Sequence, residues 1–502
     1  MSIRKWFFVL AVLGLGTALL AQTATIRVPG DAPDIPSAIS QASSIINGPA
    51  PSDVVIDVAP GTYVGPFNLS PLNNPNYSVS LLAMQGPSVT RLQRTDCCWV
   101  LTGAGVRNFT LDGFSVRNRS ADPINSPSNG MRLNDSTNIT VQNCAFDVSN
   151  QAMTFNVSDP ALSSRVQVVN NLVIAGDTNE VNPYLYGQAV SMVINDTYPS
   201  TGEHRLIVAD NTLRTGASAV RFLHYEPDEF GNNIRVASGG TLEMVRNDVT
   251  SWFAAGHNLI GGHNHYVAAN RIHDGQVGLY NMCGGSGVWE NNVLYNNIQG
   301  AIFSFCAVPL APITRETRVF RHNTVVNNKG TGFIYLDSAL PHDPLPVVYN
   351  NIVAFNNYSG IVTLFPGVSG TATSMQAYVP YDLSLDHNDV YGNTLSGFPD
   401  STFFVLTGTV GTPGLNYSGI VPNGKDLSVD PGFYDPLRPD FSLKNTSKLV
   451  NAGLVSLPLP LRDFVLNQRD SKPDIGAYEY VEPPNFNVRT TPASKAASPM
   501  LH

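Results

Sequence analysis

The chain has 502 residues, with 29 Lys and Arg against 38 Asp and Glu and a formal net charge of −9. Only 13% of residues are charged while 43% are hydrophobic, so the composition is that of a folded chain able to bury a large core. The acidic balance excludes a general nucleic-acid coat, which needs a basic face, and no internal apolar run is long enough to span a bilayer.

In chain order, Arg4 and Lys5 precede an apolar stretch from Trp6 to Ala21, the charged and apolar parts of an export signal over residues 1–21. This predicts a secreted, periplasmic or envelope protein with no transmembrane segment once the signal is removed. Residues 22–50 read as a strand followed by a short amphipathic helix, with Ile35, Ala38, Ile39 and Ala42 on one face. Such a helix would cap the open end of a strand stack, which otherwise exposes core and unpaired edges.

From residue 51 to about 400 one pattern recurs: a short β-type run, an asparagine, and a second β-type run. The asparagines are Asn171, Asn211, Asn247, Asn270, Asn292, Asn323, Asn351 and Asn388, with Asn143 taken as the first of the series. The residue two places after each is apolar. The closest pairs, Asn247 to Asn270 and Asn270 to Asn292, set a unit that holds three short strands and three turns, and longer intervals add loops. No segment between them has a helical period. Each unit is therefore one coil of a parallel β-solenoid, stacked at about 4.8 Å. Asparagine tolerates the left-handed backbone of a sharp turn, and its amide can bond the asparagine of the next coil.

The alternation and the asparagine spacing resemble the right-handed parallel β-helix of the pectin-lyase-like superfamily, with its asparagine ladder. The resemblance implies an all-β, right-handed parallel β-helix with a short N-terminal capping helix. Residues 401–481 contain "VDPGFYDPLRPDFSLKNTSKLVNAG" and "RDSKPDIGAYEY", which resemble the closing segment of choice-of-anchor Q type β-helix proteins. Residues 482–502 lack periodicity and read as a loose tail.

The resemblance further implies a polysaccharide groove on the outer face of one sheet. Its strands are expected at Gln188–Asn195, Ser218–Glu226, His257–Gly262, Leu279–Cys283, Ala301–Cys306 and Phe333–Asp337. The most polar stretch is "VRFLHYEPDEF". Arg221, His224, Glu226 and His257 are the catalytic candidates. Asn258, Tyr280, Asn281, Tyr335 and Asp337 are substrate-binding candidates, and His273 joins the same polar group. Asp228 and Glu229 are candidate ligands for Ca²⁺, the one cofactor considered. His263 and His265 flank a strand and read as solvent-facing.

Two chemistries fit these residues. In a lyase, Arg or His removes the proton beside a uronate carboxylate that a cation neutralises. In a glycoside hydrolase, two carboxylates flank the bond, with Glu226 and Asp337 as candidates. The Asn-Thr-Asp, Asp-Asp and Arg-Ile-Lys set of polygalacturonase-like hydrolases is missing, so the resemblance transfers no catalytic residue. A non-catalytic adhesin, glycan binder or structural rod is the alternative. Of five cysteines, Cys283 and Cys306 are expected to stack in adjacent coils, while the neighbours Cys97 and Cys98 receive no role.

Overall fold

The computed structural model describes residues 23–120, 126–176, 187–195, 202–227, 233–236, 240–251, 254–260, 265–282, 286–304, 318–336, 346–357, 360–366, 375–377, 384–393, 404–409, 416–419 and 425–482. Residues 1–21, read above as an export signal, His263, Cys283, Cys306 and residues 483–502 lie outside these residues.

Three parallel sheets of 13, 15 and 12 strands run the length of the described solenoid, with antiparallel hairpin strands at the end of the 15-stranded one. Each coil contributes one strand to each sheet, so within the coils a strand pairs with one from the next coil and not with the strand that follows it in the chain. This is the parallel β-helix expected from the repeat. Inward positions alternate with outward ones along the strands, as in Val54–Val58 and Val79–Ala83. The core is one continuous column from Ile26 to Val390. In its later coils Trp289 meets Phe303 edge-on at 4.7 Å, and Phe303 packs on Phe320 and Phe333.

The N-terminal end is closed as the amphipathic pattern predicts. Strand Ala24–Val28 pairs with Val54–Val58, and helix Ile35–Ile46 follows it. The Asp34 carboxylate caps this helix by accepting the Ser37 N–H at 2.8 Å. Ile35, Ala38, Ile39 and Ala42 are buried, joined by Ile46.

The asparagine ladder is continuous from Asn171 to Asn388. In the middle of the run, the Asn270 Nδ2 donates to the Met244 carbonyl of the preceding coil at 2.8 Å and to Asn292 Oδ1 at 2.9 Å. The same Oδ1 accepts the Asn270 backbone N–H at 3.1 Å. Every amide is thereby satisfied in a dry corner, where an orphaned group costs about 1–3 kcal/mol.

Two details of the expected ladder change. The left-handed residue is the one immediately before each ladder asparagine, with Asn170, Asp210, Arg246, Ala269, Asn291, His322, Asn350 and His387 all at φ between 51° and 59°. That turn aims the next side chain inward. Asn143 accordingly occupies the left-handed position (φ 53°), and Cys144 fills the ladder position, where its N–H donates to Asn171 Oδ1 at 2.9 Å. The apolar residue two places on is then Phe146, which is buried, rather than Ala145.

A second ladder, Asn297–Asn328–Asn356–Asn393, lines the next corner. Each member follows a first-ladder asparagine by five residues, so this recurrence too is present in the sequence. Glycines 278, 300, 332 and 360 stack beside it. A Cβ on Gly300 would run into the Gly332 carbonyl oxygen, so this column must stay bare.

Residues 425–482 return along the outside of the late coils as a strap. Phe433, Phe441, Leu449, Ile475, Ala477 and Tyr478 pack on Val293, Tyr295, Val326, Ile352 and Ala354 of the 12-stranded sheet. Asp426 ends the first ladder by accepting the Asn388 N–H at 2.7 Å. Buried Arg469 pairs with Glu479 at 2.7 Å and donates to Asn291 Oδ1 at 2.9 Å and the Gly476 carbonyl at 2.8 Å. The motif "RDSKPDIGAYEY" is thus a polar lock between strap and coils.

Candidate functional site

The 15-stranded sheet carries most of the residues singled out from sequence, on strands within a few residues of those expected: Gln188–Asn195, Ser218–Pro227, Ala254–Ile260, Val277–Met282, Gln299–Ser304 and Phe333–Leu336. Parallel register turns this into columns. Thr102 pairs with Arg132, Arg132 with Thr154, Ser191 with Arg221, and Arg221 with His257. Thr154 also pairs with Ser191, which makes one in-register row across six coils, outward at Thr102, Arg132, Thr154, Ser191 and Arg221. Gly256 pairs with Leu279, so Tyr280 follows at the level of His257.

Arg221 and His257 are therefore backbone neighbours in adjacent coils. His224 pairs with Ile194, three residues further along the strand, and Glu226 pairs with Arg235 of an antiparallel strand, Asn233–Val236. The side chains of His224, Glu226, His257, Asn258 and Tyr335 lie outside what the structure describes, as do Asp228, Glu229 and Asp337 altogether. Tyr280 is half-buried. Asn281 is only 1% exposed, and its register partner Phe303 is a core residue. Asn281 therefore points into the solenoid, because strand alternation gives the outward place to Tyr280.

Two histidines fall elsewhere than expected. His265 is buried in the 13-stranded sheet, where its Nδ1 accepts the Leu242 N–H at 3.1 Å and its ring meets Phe222 edge-on. Its inward position and these contacts replace the solvent-facing reading. His273 belongs to the 12-stranded sheet and not to the row containing Arg221. There its Nε2 lies 3.0 Å from Asp248 and its Nδ1 2.6 Å from Asp274, and its ring stacks on Tyr295 at 4.9 Å. Partial burial opposes its charging, but the two carboxylates together win and raise its pKa. Asp248 is held down at about 2, chiefly by its hydrogen bond to His273 and then by Arg214.

The N-terminal part of the outward row carries an aromatic group that the sequence reading passed over. The Arg132 guanidinium lies 5.4 Å from the Trp99 ring centroid. Further along, outward Thr154, Ser191 and Leu223 are 7%, 2% and 1% exposed. The face is open at Arg132 and closed over at Ser191. Among the described residues no group of three His, Cys, Asp or Glu side chains is arranged to hold a metal ion, and no helix is long and apolar enough to cross a membrane.

A family model for a right-handed β-helix region matches residues 225–367. Among solved structures, the chain is similar to the polygalacturonase from Erwinia carotovora ssp. carotovora, at 12% identity over 69% of this chain and 93% of that one, with a TM-score of 0.38. It is similar to the alginate lyase from Paenibacillus sp. str. FPU-7, at 12% identity over 67% of this chain and 99% of that one, TM-score 0.38. It is also similar to the pectate lyase Pel9A, at 11% identity over 91% of this chain and 96% of that one, TM-score 0.36. No curated protein sequence matches the chain.

Proposed function

We propose that this chain is an exported right-handed β-helix protein that binds an extended polysaccharide along the outer face of its 15-stranded sheet and processes it as a lyase or a glycoside hydrolase. The observation that supports this reading is the in-register row Thr102, Arg132, Thr154, Ser191, Arg221 and His257. Coils repeat at about 4.8 Å, close to the repeat of sugar rings in an extended chain, so a row of single residues can meet successive rings. Arg132 over Trp99 offers an aromatic and cationic platform at one end. Arg221 and His257, in adjacent coils, suit the lyase division of labour in which a cation neutralises a carboxylate and a base takes the neighbouring proton. A calcium ion near Asp228 and Glu229 would serve the same neutralisation. The choice-of-anchor Q-like ending is read as a strap along this binder.

The test is reducing-end release from a panel of acidic and neutral polysaccharides, with and without calcium. It compares the full chain with the triple variant Arg221→Ala, His224→Ala, His257→Ala. Release from an acidic polysaccharide that falls more than tenfold in the triple variant, with melting unchanged, is the expected result. Undiminished release removes this site.

A second reading has its own support. The burial of outward Thr154, Ser191 and Leu223 favours a closed central face and hence a non-catalytic glycan binder or rod. Retention on an immobilised polysaccharide without product release distinguishes it.

A further inference from the structure

Cys97 and Cys98 sit where the chain enters strand Cys98–Ala104, at the open end of the outward row. This entry is clamped from several sides. The Cys98 N–H donates to the Pro127 carbonyl at 2.9 Å, and the Cys98 carbonyl accepts from Asn118 Nδ2 at 2.9 Å. Arg94 bonds the Asp96 carboxylate and donates to the Trp99 carbonyl at 3.0 Å. Cys98 is held at φ 85°, a conformation that a residue with a Cβ rarely adopts.

These constraints bring the two Sγ atoms to 2.6 Å. Two unbonded sulfurs do not share so little space, whereas a covalent bond brings them closer still, to about 2.05 Å. Cys98 is exposed and Cys97 partly so, which opens the pair to reagents in solution. Cys144 does not compete: it is buried in the ladder corner, and burial pushes its thiol up to about 12.

We propose that Cys97 and Cys98 form a vicinal disulfide, a solvent-accessible redox site at the rim of the Trp99–Arg132 platform. The oxidant is a small-molecule disulfide. One cysteine thiolate attacks a sulfur of that disulfide, forms a mixed disulfide and releases one thiol. The neighbouring thiolate then attacks the protein sulfur of the mixed disulfide and releases the second thiol. Two protons leave the cysteines, and two electrons pass to the small disulfide, which is reduced to two thiols. Exposure makes the bond readily reversible by dithiols. Because Trp99 follows Cys98 directly, closing the ring fixes the backbone that presents the indole beneath Arg132.

The full chain is oxidised with glutathione disulfide, alkylated in denaturant without reduction, and mapped by mass spectrometry. The peptide holding Cys97 and Cys98 is expected two hydrogens lighter than its dithiol form and free of alkyl groups, and to gain two alkyl groups after reduction. Reduced native protein is expected to bind one equivalent of phenylarsine oxide, and Cys97→Ser or Cys98→Ser each to lose that binding. Two alkylated cysteines after oxidation, a stable glutathione adduct, or a bond from either residue to another cysteine would overturn the proposal. The mass map uses the unaltered chain, so a variant that failed to fold would leave the test standing.

Discussion

One register column of the 12-stranded sheet passes through two environments. It runs Leu172, Thr212, Asp248, Arg271, Val293, Thr324, Ile352 and Asp389, each the strand partner of the next. Leu172 is 44% exposed, whereas Val293, Thr324, Ile352 and Asp389 are at most 1% exposed. The backbone is equivalent throughout. The strap lies over the late coils and leaves Leu172 in water, so burial here is decided by a segment far away in sequence. The side-chain ladders show a second contrast. In the early coils Asn138 donates to Asn108 in an exposed turn, and Asp112 collects Gln142 and Asn143 there as well. In the late coils both ladders are dry and unbroken. Water can replace a lost partner in the first region and cannot in the second.

The largest expected effect comes from breaking the lock that holds the strap. Arg469→Met leaves Glu479 and its neighbour Asp474 as buried carboxylates without their cation. It should cost about 3–5 kcal/mol in denaturant unfolding and open the strap to limited proteolysis. The double variant Arg469→Met, Glu479→Leu should recover much of that loss. If the single variant unfolds like the parent, the strap is not held by this pair.

Within the sealed ladder, Asn292→Ala strands the Asn270 N–H and amide and the Val267 carbonyl together. A loss of about 3 kcal/mol is expected, against about 1 kcal/mol for Asn138→Ala at the exposed turn, where the cost is that of placing alanine at φ 54° and not of an orphaned partner.

Asp389 sharpens the comparison through pH. Its Oδ1 accepts the Val429 N–H at 2.9 Å beneath the strap, and burial pushes its pKa up to about 8. The unfolded chain releases this proton near about 3.9, so between those values the folded state binds more protons and this group's contribution to stability falls as pH rises. Asp389→Asn should flatten the stability curve from about pH 4 to 8 and gain at least about 1 kcal/mol at pH 8. A variant with an unchanged slope would assign the dependence to another group.

A matched pair of substitutions tests the column directly. Val293→Thr should cost about 1–3 kcal/mol, because the hydroxyl enters an apolar contact. Leu172→Thr in the same column should stay within about 0.5 kcal/mol. Equal costs would mean that the strap does not seal the late coils.

The β-helix was legible in the chain because its repeat is local. Each coil needs an alternating run, a turn and an inward amide, and these recur at positions such as Asn270, Asn292 and Asn323 whatever the loops between them do. The helix face Ile35, Ala38, Ile39 and Ala42 was legible for the same reason. A one-residue question, whether Asn143 or Cys144 enters the ladder, was not, because both flank a turn and only the stacked partner Asn171 decides between them. The candidate row was legible as a set of polar residues on one sheet. Membership was not, because alternation turned Asn281 inward and the three-strand coil sent His273 to a different sheet. Sequence periodicity by itself determined the coils, the corners and the cap, since those depend on neighbours within one turn of the solenoid. Only the tertiary structure decided which outward positions meet water. On the 12-stranded sheet that outcome depends on the strap held by Arg469 and Glu479, a contact between distant segments that no local pattern encodes.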